Sequence, residues 1–79
     1  MSTLITSIDR RSPAERAGVR PGERLLSIDF RAVEDVLDYR FFGYDANPLL
    51  ELEAPDGSRR SLRVKKPEGT DLGLNFETY

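Results

Sequence analysis

Few side chains in this 79-residue chain can do covalent or metal chemistry, because it contains no cysteine and no histidine. The chain therefore cannot form a disulfide, a thiolate nucleophile, an imidazole base or a Cys/His metal site. Its 12 basic and 14 acidic residues give a formal charge of -2, so no excess of lysine and arginine attracts a phosphate backbone. We expect no catalysis by this chain alone, no cofactor in this chain and no nucleic-acid partner.

Length and composition predict a single small domain. Hydrophobic residues make up 38% of the chain and charged residues 33%, which is typical of a globular domain and unlike a disordered segment. We place the domain at residues 3–77, since so short a chain has apolar residues for one core and not for two. No apolar run approaches the roughly 20 residues that cross a bilayer, and the N-terminus lacks the pattern of a signal segment. We expect a cytoplasmic protein without membrane contact, and its oligomeric state stays open.

A short helix is predicted at Pro13–Ala17. Ser12 can accept a hydrogen bond as the N-cap, proline suits the first helical position, and Glu15 is the return half of a capping box. Gly18 is well placed to end the helix in the left-handed conformation, and Pro21 forbids its continuation. Start and stop signals therefore agree on a helix of little more than one turn.

Five strands and a longer second helix complete the predicted order of elements. Alternating or β-branched apolar residues mark the strands, while a capping aspartate starts the second helix and Asn47-Pro48 ends it. The turn Pro55-Asp56-Gly57-Ser58 joins two strands as a hairpin. The predicted strands are Thr3–Ile8, Arg24–Phe30, Leu49–Glu53, Ser61–Lys65 and Leu72–Phe76, and the second helix is Asp35–Tyr44.

The segment SPAERAGVRPGERLLSID resembles the most recognisable stretch of PDZ domains, in which a short capped helix leads through a glycine-containing turn into a central strand. The later elements follow in the order of bacterial PDZ domains, with the ligand-binding strand last. The resemblance covers residues 3–77 and implies an α+β, mainly β fold, a partly open antiparallel barrel of five strands with two helices. It also implies a non-catalytic interaction module whose partner is an extended peptide or protein segment.

The same resemblance implies a peptide groove between the last strand and the second helix. The family's carboxylate-binding loop, typically Gly-Leu-Gly-Phe, corresponds to DLGL at residues 71–74. Such a loop aims successive backbone N–H groups at an anion, and glycine supplies the freedom to turn. The implied peptide-binding residues are Leu72, Gly73, Leu74 and Phe76 on the strand side and Val36 and Arg40 on the helix, with no catalytic or metal-ligating residue.

The sequence departs from the family pattern in three places; the first two leave the ligand open, and the third affects the local turn more than the function. Asp71 replaces the first glycine of the loop, and its charge would repel a ligand carboxylate, so an internal segment or a partner strand is an alternative ligand. The second helix has no histidine at its start; Val36 there would favour an apolar ligand side chain, and Arg40 could meet an acidic one. Phe30 stands where the family commonly has glycine.

Several of these residues also have simpler structural interpretations. The apolar face of Leu72–Phe76 is equally expected of a terminal strand that completes the core. Lys65 and Lys66 could add positive potential near a carboxylate, but a solvated strand end explains them better. Core packing is the simplest interpretation of at least two of the helix residues Val36, Leu37, Phe41 and Tyr44.

A narrower resemblance concerns a parent protein. A PDZ domain at the extreme N-terminus, with DVLDYRFF in its helix and an ending close to DLGLNFE, resembles the start of a group of bacterial radical-SAM-like iron–sulfur proteins of uncertain role. In that family a three-cysteine cluster motif lies downstream, so any such chemistry would belong to residues outside this chain. Three hypotheses result: a module that binds a peptide in trans, the recognition domain of a larger oxidoreductase, and a domain packed in cis on its own downstream part.

Overall fold

Six strands and two helices follow one another along residues 3–77, the part of the chain that the computed structural model describes. The strands are β1 (Ile5–Ile8), β2 (Arg24–Ile28), β3 (Arg31–Ala32), β4 (Leu49–Glu53), β5 (Arg59–Arg63) and β6 (Leu74–Phe76), and the helices are α1 (Pro13–Ala17) and α2 (Val36–Phe42). β1 pairs with β6, and the order β3-β2-β4-β5 forms a second sheet; every named pair is antiparallel. A bridge between Leu4 and Arg24 connects the two sheets.

Apolar side chains from both sheets fill one core between them. β4 shows why these residues form a half-buried strand: Leu50 and Leu52 are fully buried, while Glu51 and Glu53 are partly exposed. Successive side chains of a strand point to opposite faces, so the alternating sequence places both leucines inside. Burial of each leucine contributes about 2 kcal/mol to folding. The other large aliphatic side chains that are fully buried are Ile5, Leu25, Ile28, Val64 and Leu72.

α1 has the predicted bounds, and its caps follow the sequence signals except that the Glu15 carboxylate does not bond the Ser12 N–H, as a capping box would. Ser12 Oγ accepts a hydrogen bond from the Glu15 N–H at 3.2 Å. The Glu15 carboxylate accepts one from the Arg11 N–H at 2.8 Å, one residue before the N-cap. Gly18 follows with φ 95° and donates its N–H to the last turn of the helix. The left-handed glycine therefore ends α1 as predicted.

The structure has six strands where the sequence predicts five, and the additional one is β3. The predicted strand Arg24–Phe30 ends at Ile28, because Asp29 and Phe30 have φ angles of 50° and 66°. Positive φ at both central residues is the mark of a type I′ hairpin turn. Ile28 pairs with Arg31 across this two-residue turn, which creates the short strand β3. The alternation of apolar residues continues to Phe30, so the sequence pattern does not show that the chain turns back after Ile28.

Three other strands have bounds that differ from prediction. β1 begins at Ile5 and not at Thr3, because the pairing of Leu4 with Arg24 is an isolated bridge outside the strand. β5 is Arg59–Arg63 and not Ser61–Lys65. The turn after β4 brings Arg59 opposite Glu53, so the hydrogen-bonded pairing of the two strands begins two residues earlier than predicted. β6 is Leu74–Phe76 and begins two residues later than predicted. Gly73 has φ 90° and belongs to the loop before the strand.

α2 begins after its cap and is shorter than predicted. Asp35 has an extended backbone, and its carboxylate accepts a hydrogen bond from the Asp38 N–H at 2.9 Å, so the helix starts at Val36. Its last residue is Phe42, and Gly43 is the C-cap. Neither helix of residues 3–77 is long and apolar enough to cross a membrane.

Candidate functional site

A groove of about 600 Å³ lies between β6 and α2. Five of the six residues predicted to bind a peptide line it, namely Val36, Arg40, Leu72, Leu74 and Phe76. The sixth, Gly73, lies in the loop at one end of β6 and is buried. The fold thus brings the predicted residues together from two elements that are distant in the sequence, and their role in binding a peptide stays a prediction.

The groove side of α2 follows from helical spacing. Val36, Tyr39, Arg40 and Gly43 are three or four residues apart, so they share one side of the helix, and all four line the groove. Gly43 allows the helix to approach the loop, because a Cβ at this position would lie 3.2 Å from Cδ1 of Leu72. Arg40 is exposed and is the cationic side chain on this side of the helix.

The opposite side of α2 is exposed. Leu37 and Phe41 on this side have exposed fractions of 74% and 79%, and Tyr44, which follows the helix and lines the groove, is 57% exposed. The interpretation of at least two of the residues Val36, Leu37, Phe41 and Tyr44 as core is wrong, because α2 contacts the core through Tyr39 and Phe42 instead. Apolar spacing along a helix does not reveal which side meets the sheet.

Tyr39 connects α2 directly to β6. Its ring packs edge-on against Phe76 with the ring centroids 4.8 Å apart, and the residue is 6% exposed. The hydroxyl accepts a hydrogen bond from the Leu74 N–H at 3.1 Å and donates one to Asp71 Oδ1 at 3.1 Å. Burial above all, and then the Asp71 carboxylate, raise the pKa of Tyr39, so the hydroxyl keeps its proton. Helical spacing places Tyr39 on the groove side, but it does not predict these two partners.

Asp71 closes a small hydrogen-bond network at the loop. Its Oδ1 accepts the Tyr39 hydroxyl and also the Gly73 N–H, the latter at 3.3 Å. The N–H groups of Gly73 and Leu74, both predicted to receive a ligand carboxylate, are therefore already donors in internal hydrogen bonds. The sequence predicts the charge of Asp71 near the loop but does not predict these bonds.

The start of α1 and the turn before it hold the loop at residues 71–73 on the side away from α2. The Leu72 carbonyl accepts a hydrogen bond from the Ala14 N–H at 3.0 Å, which is possible because N–H groups in the first turn of a helix have no partner within it. The Gly73 carbonyl accepts one from the Asp9 N–H at 2.8 Å. A Cβ on Gly73 would overlap the side chain of Ser12, so the close packing leaves room for glycine alone.

Lys66 is a structural residue at the end of α2. It is 4% exposed, and its Nζ donates to the carbonyl oxygens of Asp45 at 2.9 Å and Tyr44 at 3.3 Å. Burial lowers the pKa of Lys66, although nearby carboxylates, first that of Asp45, oppose this effect. The interpretation of Lys66 as part of a solvated strand end is therefore wrong, whereas Lys65 is exposed.

The arrangement of a groove between a glycine-containing loop, a terminal strand and a helix is that of a PDZ domain. The PDZ domain family matches residues 4–54, more than half of the chain, and the chain belongs to this family. It is also similar to the carboxy-terminal processing protease CtpB of Bacillus subtilis (strain 168), with 31% identity over 74 residues. The aligned part covers 92% of this chain and 14% of that protease, so the chain spans a small part of the relative's length. As a PDZ domain, the chain by itself is an interaction module and not an enzyme.

Proposed function

We propose that residues 3–77 form one PDZ domain that binds an extended peptide by strand addition between β6 and α2. The supporting observation is that no second strand covers β6: among residues 3–77, this strand pairs with β1 alone, and its residues line the groove. One of its N–H groups, that of Leu74, already donates to the Tyr39 hydroxyl. An extended peptide can hydrogen-bond to the edge of such a strand while its alternate side chains enter the groove.

Selectivity would come from the side chains that line the groove. Phe76 and Val36 are partly exposed and offer apolar surface to ligand side chains, whereas Leu72 and Leu74 are buried beneath them. Exposed Arg40 would pair with an acidic ligand side chain. β6 has three residues, so few main-chain hydrogen bonds are available. We expect dissociation constants of about micromolar at best, because a flexible peptide also loses conformational freedom on binding.

A titration by NMR tests this proposal. The probe is a degenerate hexapeptide library with an apolar last residue, and the amide signals of Leu72, Gly73 and Leu74 should shift on its addition. The amide of Gly57, in the turn between β4 and β5, should not. Absence of any shift at the three loop amides would contradict peptide binding in trans.

Two neighbouring substitutions separate the groove from the rest of α2. Val36→Lys changes a groove residue and should weaken peptide binding at least about fivefold, the effect of a typical interface residue. Leu37→Lys introduces the same side chain one position away, on the exposed side, and should leave affinity within about twofold. Equal losses in both variants would show that the peptide binds elsewhere on the helix.

The parent protein is a separate question from the groove. A segment similar to this chain occurs within a much longer protease, which supports our proposal that the domain serves recognition or docking in a larger protein. That relative is a protease, which does not support the radical-SAM-like parent implied by the narrower resemblance. The cytoplasmic location stays a prediction.

A further inference from the structure

The loop that receives a ligand carboxylate in other PDZ domains already holds a carboxylate here, that of Asp71. Gly73 donates its N–H to Asp71 Oδ1 at 3.3 Å, and the Tyr39 hydroxyl donates to the same oxygen at 3.1 Å. Leu74 donates its N–H to the Tyr39 oxygen at 3.1 Å. A C-terminal carboxylate would have to break the bonds of both loop N–H groups before it could use them.

Charge at the loop also opposes a free C-terminus. The Asp71 side chain carries a negative charge beside the position that the ligand carboxylate would take, and like charges at short range repel. Lys66 offsets this repulsion in part, since its ammonium group is attracted to the Asp71 carboxylate, but its hydrogen bonds to the carbonyl oxygens of Tyr44 and Asp45 keep it buried. Arg40 lines the groove from the helix side and is exposed, so water screens much of its charge.

An internal segment avoids the charge repulsion and does not need the Gly73 N–H, although the Leu74 N–H of β6 stays bonded to the Tyr39 hydroxyl. The segment's main chain is uncharged where it passes the loop, and its peptide N–H groups are donors that a carboxylate accepts well. We propose that the groove takes an internal extended segment of another polypeptide, whose chain continues past Asp71, and that it discriminates against a free C-terminal carboxylate. This proposal rests on the proposed function, because it specifies which peptides the same groove accepts.

The test compares three forms of the same hexapeptide library with an apolar last residue. One form has a free carboxylate, one is amidated, and one continues into Gly-Ser-Gly-amide. For the unmodified domain we expect the amidated and continued forms to bind at least about threefold more tightly than the free acid. Asp71→Gly removes the carboxylate and restores glycine at the first loop position, so the free acid should become the preferred form by about tenfold.

Two further variants isolate the cause of the preference. Glu34→Gln removes one negative charge at an exposed position outside the groove and should keep the preference of the unmodified domain. Tyr39→Phe leaves Asp71 in place but frees the Leu74 N–H, so the free acid should gain part of its lost affinity. This variant also keeps the proposal testable if Asp71→Gly fails to fold.

The outcomes distinguish failure of the internal-segment proposal from failure of peptide binding itself. A preference of the unmodified domain for the free acid would overturn the internal-segment proposal and leave peptide binding intact. An unchanged preference in both Asp71→Gly and Tyr39→Phe would overturn it as well, because the internal network would then not be the cause. If no form moves the amides of Leu72, Gly73 and Leu74, peptide binding itself fails, and the proposal fails with it.

Discussion

The loop before β6 and the turn after β2 both take the backbone through positive φ, but they do so with opposite kinds of residue. Gly73 has φ 90°, whereas Asp29 and Phe30 have φ 50° and 66°. Glycine adopts this region freely, while a residue with a Cβ is strained there by about 1–2 kcal/mol. Asp29 recovers part of this cost, because its carboxylate accepts a hydrogen bond from the Leu49 N–H at 3.0 Å.

The two positions, Gly73 and Phe30, differ in the space that is available for a side chain. At Gly73 the side chain of Ser12 occupies the place of a Cβ, and at Phe30 the side chain is 80% exposed. Glycine is therefore required at the loop by backbone angle and by packing together. At the turn the angle alone favours glycine, and a large residue is tolerated at a cost in stability.

The largest effect is expected from Gly73→Ala. This change combines an unfavourable φ with overlap between the new Cβ and Ser12, so it should lower the free energy of unfolding by about 2 kcal/mol or more. Urea denaturation measures the loss. Gly57→Ala is the matched control, because Gly57 has φ 89° but no atom within 4 Å of a built Cβ, and it should lose about 1 kcal/mol. Equal losses would mean that packing against Ser12 contributes nothing.

A smaller loss is expected from Gly18→Val at the end of α1. Gly18 has φ 95° and open space around a built Cβ, so the change tests backbone angle without overlap. A β-branched residue is poorly tolerated in this conformation, and the loss should be about 1 kcal/mol or more by thermal melting. Gly18→Asn should lose less, since asparagine enters the left-handed region more easily. An unchanged midpoint for the valine variant would show that the angle by itself costs little.

The smallest effect is a gain, expected from Phe30→Gly. Glycine releases the strain of the type I′ turn but also gives the unfolded chain more freedom, so the net stabilisation should stay below about 1 kcal/mol. Phe30→Ala is the control, because it removes the exposed ring and keeps the strain, and it should not stabilise. Calorimetry measures the melting temperatures of the unmodified domain and of the two variants. A loss in both variants would show that contacts of the phenylalanine ring outweigh the backbone strain.

The sequence alone determined the features that depend on nearby residues. The bounds of α1 follow from Ser12 and Gly18, since cap hydrogen bonds span only a few residues. Helical spacing places Val36 and Arg40 on one side of α2, and the family resemblance, not the spacing, assigned that side to the groove. The match of SPAERAG to its family then supplied the order of the strands and most of the candidate site.

Only the tertiary structure decided the features that join distant residues. The Tyr39 hydroxyl meets the Leu74 N–H across 35 positions and the Asp71 carboxylate across 32. The start of β6, the burial of Lys66 and the exposure of Phe41 likewise depend on how the elements pack. No local pattern contains this information, because a side chain's partners and exposure are set by whatever element folds against it.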